Sequence, residues 1–149
     1  DVIQVNLNLL DQRAVENGLL AAAAARGIAI IARTPLCFGL LTGTIDASAA
    51  FDPSDHRSAW PREQILRWIE GSRAVVAAVA ARAEQTPAQV ALRFCLSHPA
   101  VASAIPGMLP PAEVAENAAA SALGPLGPDD LAAVAAAYRT QDWFVARAS

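Results

Sequence analysis

The sequence predicts an α/β chain of three parallel strands with covering helices, an incomplete α/β barrel. Three observations lead there. Short apolar runs at residues 2–5, 28–32 and 102–105 alternate with longer helical stretches, the pattern of βαβ units with right-handed crossovers. The second run follows a helix and Gly27 and has the continuous apolar character of a parallel strand covered on both faces. Finally, three strands cannot close a barrel or easily cover both sheet edges, so the unit reads as part of a larger closed sheet.

Bulk properties bound the function. A chain of 149 residues allows one domain, or a piece of a larger one, and residues 1–149 read as one such unit. The composition is 54% hydrophobic, enough for a core, although alanine supplies much of it and buries little area per residue. A net charge of −3 offers no electrostatic reason to expect nucleic acid. No window approaches the ~20 apolar residues of a membrane span, so no membrane partner is expected. Cys37 and Cys95 lie in apolar segments without ligand spacing and read as buried thiols of a cytoplasmic protein; no metal site is expected. All eleven basic residues are arginine and lysine is absent. The chain opens at Asp1 directly in strand-like sequence, which creates the expectation of an upstream portion.

In order, Val2–Val5 is a strand, Asn6–Arg13 a loop, and Ala14–Ala25 a helix closed by Gly27. Strand 28–32 runs into the turn at Arg33, Thr34 and Pro35, the ligand-facing position of a parallel sheet. Residues 45–60 form a long loop punctuated by Pro53 and Pro61. Pro61 opens a helix to about Ala83, with Ile65, Leu66, Ile69, Val76 and Val79 on one face. Thr86, Pro87 and Gln89 form a capping-box start for a helix that stops at His98-Pro99. Strand 102–105 ends at Pro106-Gly107, a helix spans about Pro111–Ser121, and a last helix runs from Asp129 and Asp130, acids suited to its first turn, to about Tyr138. Trp143 and Phe144 in the tail should dock on the fold.

Five blocks then carry a resemblance: Val2-Ile3-Gln4-Val5-Asn6, GIAIIARTPLCFGLLTG at 27–43, Asp55-His56-Arg57, TPAQVALRFCLSHPAVASAIPG at 86–107 and PPAEVAENAAA at 110–120. In order and rough spacing they resemble the C-terminal portion of the aldo-keto reductases. The resemblance implies a partial (β/α)8 TIM barrel, its sixth to eighth strand–helix units, completed by a missing N-terminal part or partner chain. It implies an oxidoreductase that binds a nicotinamide dinucleotide, NADPH with NADH possible, and, if completed, reduces a small carbonyl substrate.

Residue by residue, the resemblance places Gln4 at the nicotinamide carboxamide and Arg33 where an aromatic residue usually stacks on the nicotinamide. Thr34, Pro35, Leu36, Cys37 and Phe38 match the loop around the pyrophosphate, where Gly39 and Gly43 permit close backbone approach. Arg57 matches a basic residue of the long loop that reaches the cofactor phosphates. Gly107, Met108, Leu109, Glu113, Glu116 and Asn117 match the junction that holds the adenosine 2′-phosphate and adenine, with the helix start offering amides to a phosphate.

The chain also departs from that pattern. Thr44 stands where a phosphate-binding lysine is frequent, Leu7 replaces a frequent tyrosine, and Leu109 and Glu113 replace residues that grip the 2′-phosphate. Glu113 would repel a dianion, which argues against tight selectivity for NADPH and leaves NADH possible. The family's catalytic tyrosine, lysine, aspartate and histidine come from the early strands. This chain has no lysine and its one tyrosine, Tyr138, lies in the last helix, so no catalytic residue is assigned. Bland readings stand beside the functional ones: Gln4 as a strand-end polar group, Arg33 as an ion-pair partner, His56 as a loop or capping histidine, and His98 as a helix-end residue. Asp52 and Asp55 read as solvated loop acids, and Trp60 and Trp68 as packing residues, with Trp60 also a candidate for a substrate mouth. The alternatives to a reductase portion are a non-catalytic half-barrel that binds nucleotide or protein as a homodimer, and an inert fragment.

Overall fold

The fold is that of a computed structural model, which describes residues 1–79 and 85–145. Strands β1 (Val2–Asn6), β2 (Ala29–Arg33) and β3 (Val101–Ile105) form one sheet in sequence order, and both pairings are parallel. Asn6 pairs with Arg33, and Arg33 with Ile105, so the strands' carboxyl ends lie level; an irregularity at Ile30/Ile31 shifts the second register. Parallel neighbours require crossovers. Helices α1 (Arg13–Glu16) and α2 (Leu19–Ala25) make the first, and α3 (Arg62–Ala77) and α4 (Pro87–Leu96) the second. Helices α5 (Pro111–Ala122) and α6 (Pro128–Arg139) follow β3.

The helices lie on one side. Alternation along each strand sends Ile30 and Ala32, both fully buried, and Val101 into the helical layer. Gln4, Asn6, Arg33, Ser103 and Ile105 fall on the other side and are exposed. This corrects the expectation of a strand covered on both faces; an apolar run alone does not report how many layers cover it. The core is sandwiched between sheet and helices, where Leu7, Leu9, Leu10, Leu40, Leu41, Val75 and Val134 are almost wholly buried.

Two helix boundaries also differ. The helix expected over 14–25 is split at Asn17-Gly18: Gly18 takes φ +77°, and the Asn17 side chain accepts the Leu19 amide at 3.0 Å, starting a new helix. Helix α3, with Pro61 as its N-cap, ends at Ala77 rather than near Ala83; residues 80–83 lie outside the described residues. The capping box is as expected: Thr86 Oγ1 accepts the Gln89 amide at 3.2 Å and Gln89 Oε1 accepts the Thr86 amide at 3.1 Å. The tail docks. Trp143 stacks on Tyr138 with centroids 5.1 Å apart, its Nε1 donates to the Tyr138 carbonyl at 2.8 Å, and the Gln64 amide donates to the Trp143 carbonyl at 2.8 Å.

Candidate functional site

The level carboxyl ends of the strands make a rim from which three loops rise, at residues 7–12, 34–44 and 106–110. This rim brings most of the predicted site residues together. Gln4 sits about two residues, or ~7 Å, below it on the bare face. Arg33 ends β2 and is exposed, and among the described residues no carboxylate pairs with it.

The turn after β2 is strained. Thr34, Cys37 and Phe38 have φ of +53°, +45° and +57°, and Gly39 and Gly43 follow at +91° and +78°. Left-handed non-glycine residues persist only where surrounding structure fixes them. Here Pro35, Leu36 and Cys37 are buried, Asn8 Nδ2 donates to the Thr34 carbonyl at 3.0 Å, and the amides of Cys37, Gly39, Leu40, Leu41 and Thr42 bond within the turn. The buried Asn8 was not legible in the sequence, and neither were the positive φ values, because Cys and Phe carry no signal for that conformation. The close approach at the glycines is to the protein itself. A Cβ on Gly43 would lie 3.1 Å from Pro87, and one on Gly39 3.3 Å from Ile45.

The long loop leans onto this turn. Arg57 forks onto Asp55 (Nη2–Oδ2 2.6 Å), donates from Nη1 to the Phe38 carbonyl at 3.1 Å, and lies 4.3 Å over the Phe51 ring. Asp55 is a partly exposed loop acid that is also paired: it caps the turn His56–Ala59 by accepting the Arg57 amide, and its bonds to Arg57 pull its carboxyl down to about 2. His56 meets Phe38 and Trp60 edge-on as a loop histidine, and Trp60 and Trp68 pack edge-on against each other. Asp52 remains exposed and caps Ser54.

Gly107, Met108 and Leu109 stand exposed above β3, with Glu116 and Asn117 half-buried on α5. The start of α5 does not offer the expected row of amides. Pro110 and Pro111 occupy the cap and first positions and have no N–H; the Leu109 amide donates to Glu113 Oε2 at 2.9 Å, and the Glu113 amide to the Pro110 carbonyl at 3.0 Å.

Elsewhere the titratable groups are structural. Burial raises the Cys37 and Cys95 thiols to about 12; both are free, and Cys95 donates to the Leu7 carbonyl. His98 follows the end of α4 and is lowered by burial against Phe94. Tyr138 lies on α6, its hydroxyl accepting the Gln12 amide at 3.5 Å and its ring stacking on Trp143. Buried Arg93, also missed in the sequence, donates to the carbonyls of Gly124 (2.6 Å) and Pro125 (2.9 Å) and to Gln85. Among the described residues there is no cluster of three or more His, Cys, Asp and Glu side chains to hold a metal ion, and no helix is long and apolar enough to cross a membrane.

Comparison with known proteins gives the following. A model of the aldo/keto reductase family matches residues 1–139. The chain is 34% identical over 121 residues to the NADH-specific methylglyoxal reductase of Escherichia coli (strain K12), covering 80% of this chain and 36% of that protein. Its fold resembles the glycerol dehydrogenase AKR11B4 from Gluconobacter oxydans, with TM-score 0.74, 21% identity, 99% of this chain and 45% of that one. It also resembles the holo form of aldo-keto reductase AKR11C1 from Bacillus halodurans, with TM-score 0.65, 17% identity, and 97% and 44% coverage. The chain thus spans 36% of its curated relative's length and under half of these two structures.

Proposed function

This chain belongs to the aldo/keto reductase family, and we propose that it is the dinucleotide-binding portion of a reductase that uses NADH to reduce a small carbonyl compound. The observation that carries this reading is the level rim. One bare sheet face and one edge hold Gln4, Arg33, the strained turn 34–38, and residues 107–109 together, with Arg57 fastened over the turn. An exposed guanidinium at Arg33 can stack on a planar ring, and Gln4 can exchange hydrogen bonds with a carboxamide. Glu116 and Asn117 stand where the family resemblance puts the adenine.

The residues present fit NADH better than NADPH. Two prolines remove donors from the start of α5, and the Glu113 carboxylate, already bonded to the Leu109 amide, repels a 2′-phosphate. The name of the Escherichia coli relative, an NADH-specific enzyme, supports the same choice. When bound, the dinucleotide would supply the hydride. The proton donor would come from outside this chain, which has no lysine to tune a tyrosine.

Native mass spectrometry with peptide mapping tests the reading. A lysine-containing, barrel-completing polypeptide travelling with this sequence, joined or separate, and NADH-dependent carbonyl reduction by that material are expected. A clean homodimer of the 15.5 kDa chain without NADH binding would overturn it in favour of a non-catalytic half-barrel.

A further inference from the structure

A continuous file of rings joins the C-terminal segment to the strained turn. Phe144 meets Trp68 edge-on at 6.2 Å, Trp68 meets Trp60 at 5.1 Å, and Trp60 meets Phe38 at 4.7 Å. At the outer end, Arg13, itself bonded to Asp11, lies 5.4 Å over the Phe144 ring, and Arg67 donates to the Phe144 carbonyl at 3.2 Å and to Asp142 at 2.9 Å. The Gln64 carboxamide clasps the same segment, donating to the Trp143 carbonyl and accepting the Val145 amide at 2.7 Å. At the inner end, Phe38 holds its left-handed backbone with its carbonyl tied to Arg57.

We infer that residues 140–145 form a strap whose docking, passed through Trp68 and Trp60, keeps the Phe38 turn and the 45–60 loop in place. The turn needs an external hold, because its left-handed residues do not persist unaided. Phe38 is 39% exposed, and its ring meets those of Trp60 and His56 while its carbonyl is tied to Arg57. Trp60 is in turn backed by Trp68, which is buried on α3 and covered at its far edge by Phe144. Trp143, 5% exposed, anchors the strap in the core, while Phe144 is 45% exposed and is the ring of the file that can be removed without opening the core. This inference does not depend on the identity of the cofactor.

Hydrogen exchange by mass spectrometry on the protein carrying Phe144→Ala, Trp60→Leu, or both tests the coupling. The amides of Gly39, Leu40, Leu41 and Thr42, bonded within the turn, are the reporters. Phe144→Ala is expected to speed their exchange about tenfold, Phe144→Tyr to leave it slow, and Phe144→Ala to add nothing in the Trp60→Leu background. Acceleration confined to residues 64–71 and 138–145 would overturn the inference. So would a uniform acceleration that includes α2, or additive effects of the two substitutions, because each would mean that the rings transmit nothing.

Discussion

The Glu113 carboxylate accepts a hydrogen bond from the Leu109 amide at 2.9 Å, so the start of α5 already holds an anion of its own. Glu113→Gln keeps an acceptor for that amide and removes the charge. NADPH affinity relative to NADH is expected to rise about fivefold, in line with ~1 kcal/mol for charges near 4 Å in water. Fluorescence titration with both nucleotides measures it, and an unchanged ratio would remove Glu113 from the selectivity argument.

Arg93 is fully buried and gathers the loop between α5 and α6 through the Gly124 and Pro125 carbonyls. Arg93→Met leaves both acceptors without that donor and is expected to cost about 3 kcal/mol, read as a lower urea midpoint. Arg93→Lys should recover only part of the loss, since an ammonium cannot reproduce the guanidinium fork.

Gly71 marks the place where the tail crosses α3. A Cβ there would clash with the Trp143 ring, although the backbone conformation itself is ordinary. Gly71→Ala is therefore expected to displace Trp143 rather than strain the helix. A red-shifted tryptophan emission with α3 intact by circular dichroism is the expected result; unchanged emission would place the ring elsewhere.

Among the described residues His98 Nε2 is buried without a hydrogen-bond partner, and burial lowers the group below its ordinary value of about 6.5. The folded protein therefore resists protonation that the unfolded chain accepts. Stability present above pH ~6.5 is lost as pH falls toward the folded value. Asp55, held down to about 2 by Arg57, acts in a separate window: its contribution is lost only as pH falls from about 4 toward 2. Urea midpoints across pH 4–7 should slope in the wild type and flatten in His98→Leu, and an equal slope in both would exclude His98 as the cause.

The thiols of Cys37 and Cys95, raised to about 12, should be inert in the folded protein. At pH 8 alkylation is expected to run roughly a thousandfold slower than in the denatured chain, from the thiolate fraction alone. Fast labelling of Cys37 in the native state would show that the turn opens.

Much of the rim was legible because its signals are local. The apolar runs, Pro111, the Thr86–Gln89 capping box and the bounding glycines each act over a few residues, and the elements they specify appear within a residue or two. The order of the five blocks was enough to place Gln4 and Arg33 on two adjacent strands and Gly107 just past the end of the third. The break at Gly18 was missed because alanine-rich flanks outweighed one glycine.

By itself, then, the sequence determined that three parallel strands alternate with helices and that lysine is absent, since these follow from periodicity, turn chemistry and composition. Only the tertiary structure decided that one sheet face is bare, that Cys37 and Phe38 turn left-handed, that Arg57 reaches the Phe38 carbonyl across nineteen positions and that Gln64 clasps Trp143 across 79. Those features arise from contacts between segments far apart in the chain, and such contacts leave no periodic trace in either segment alone.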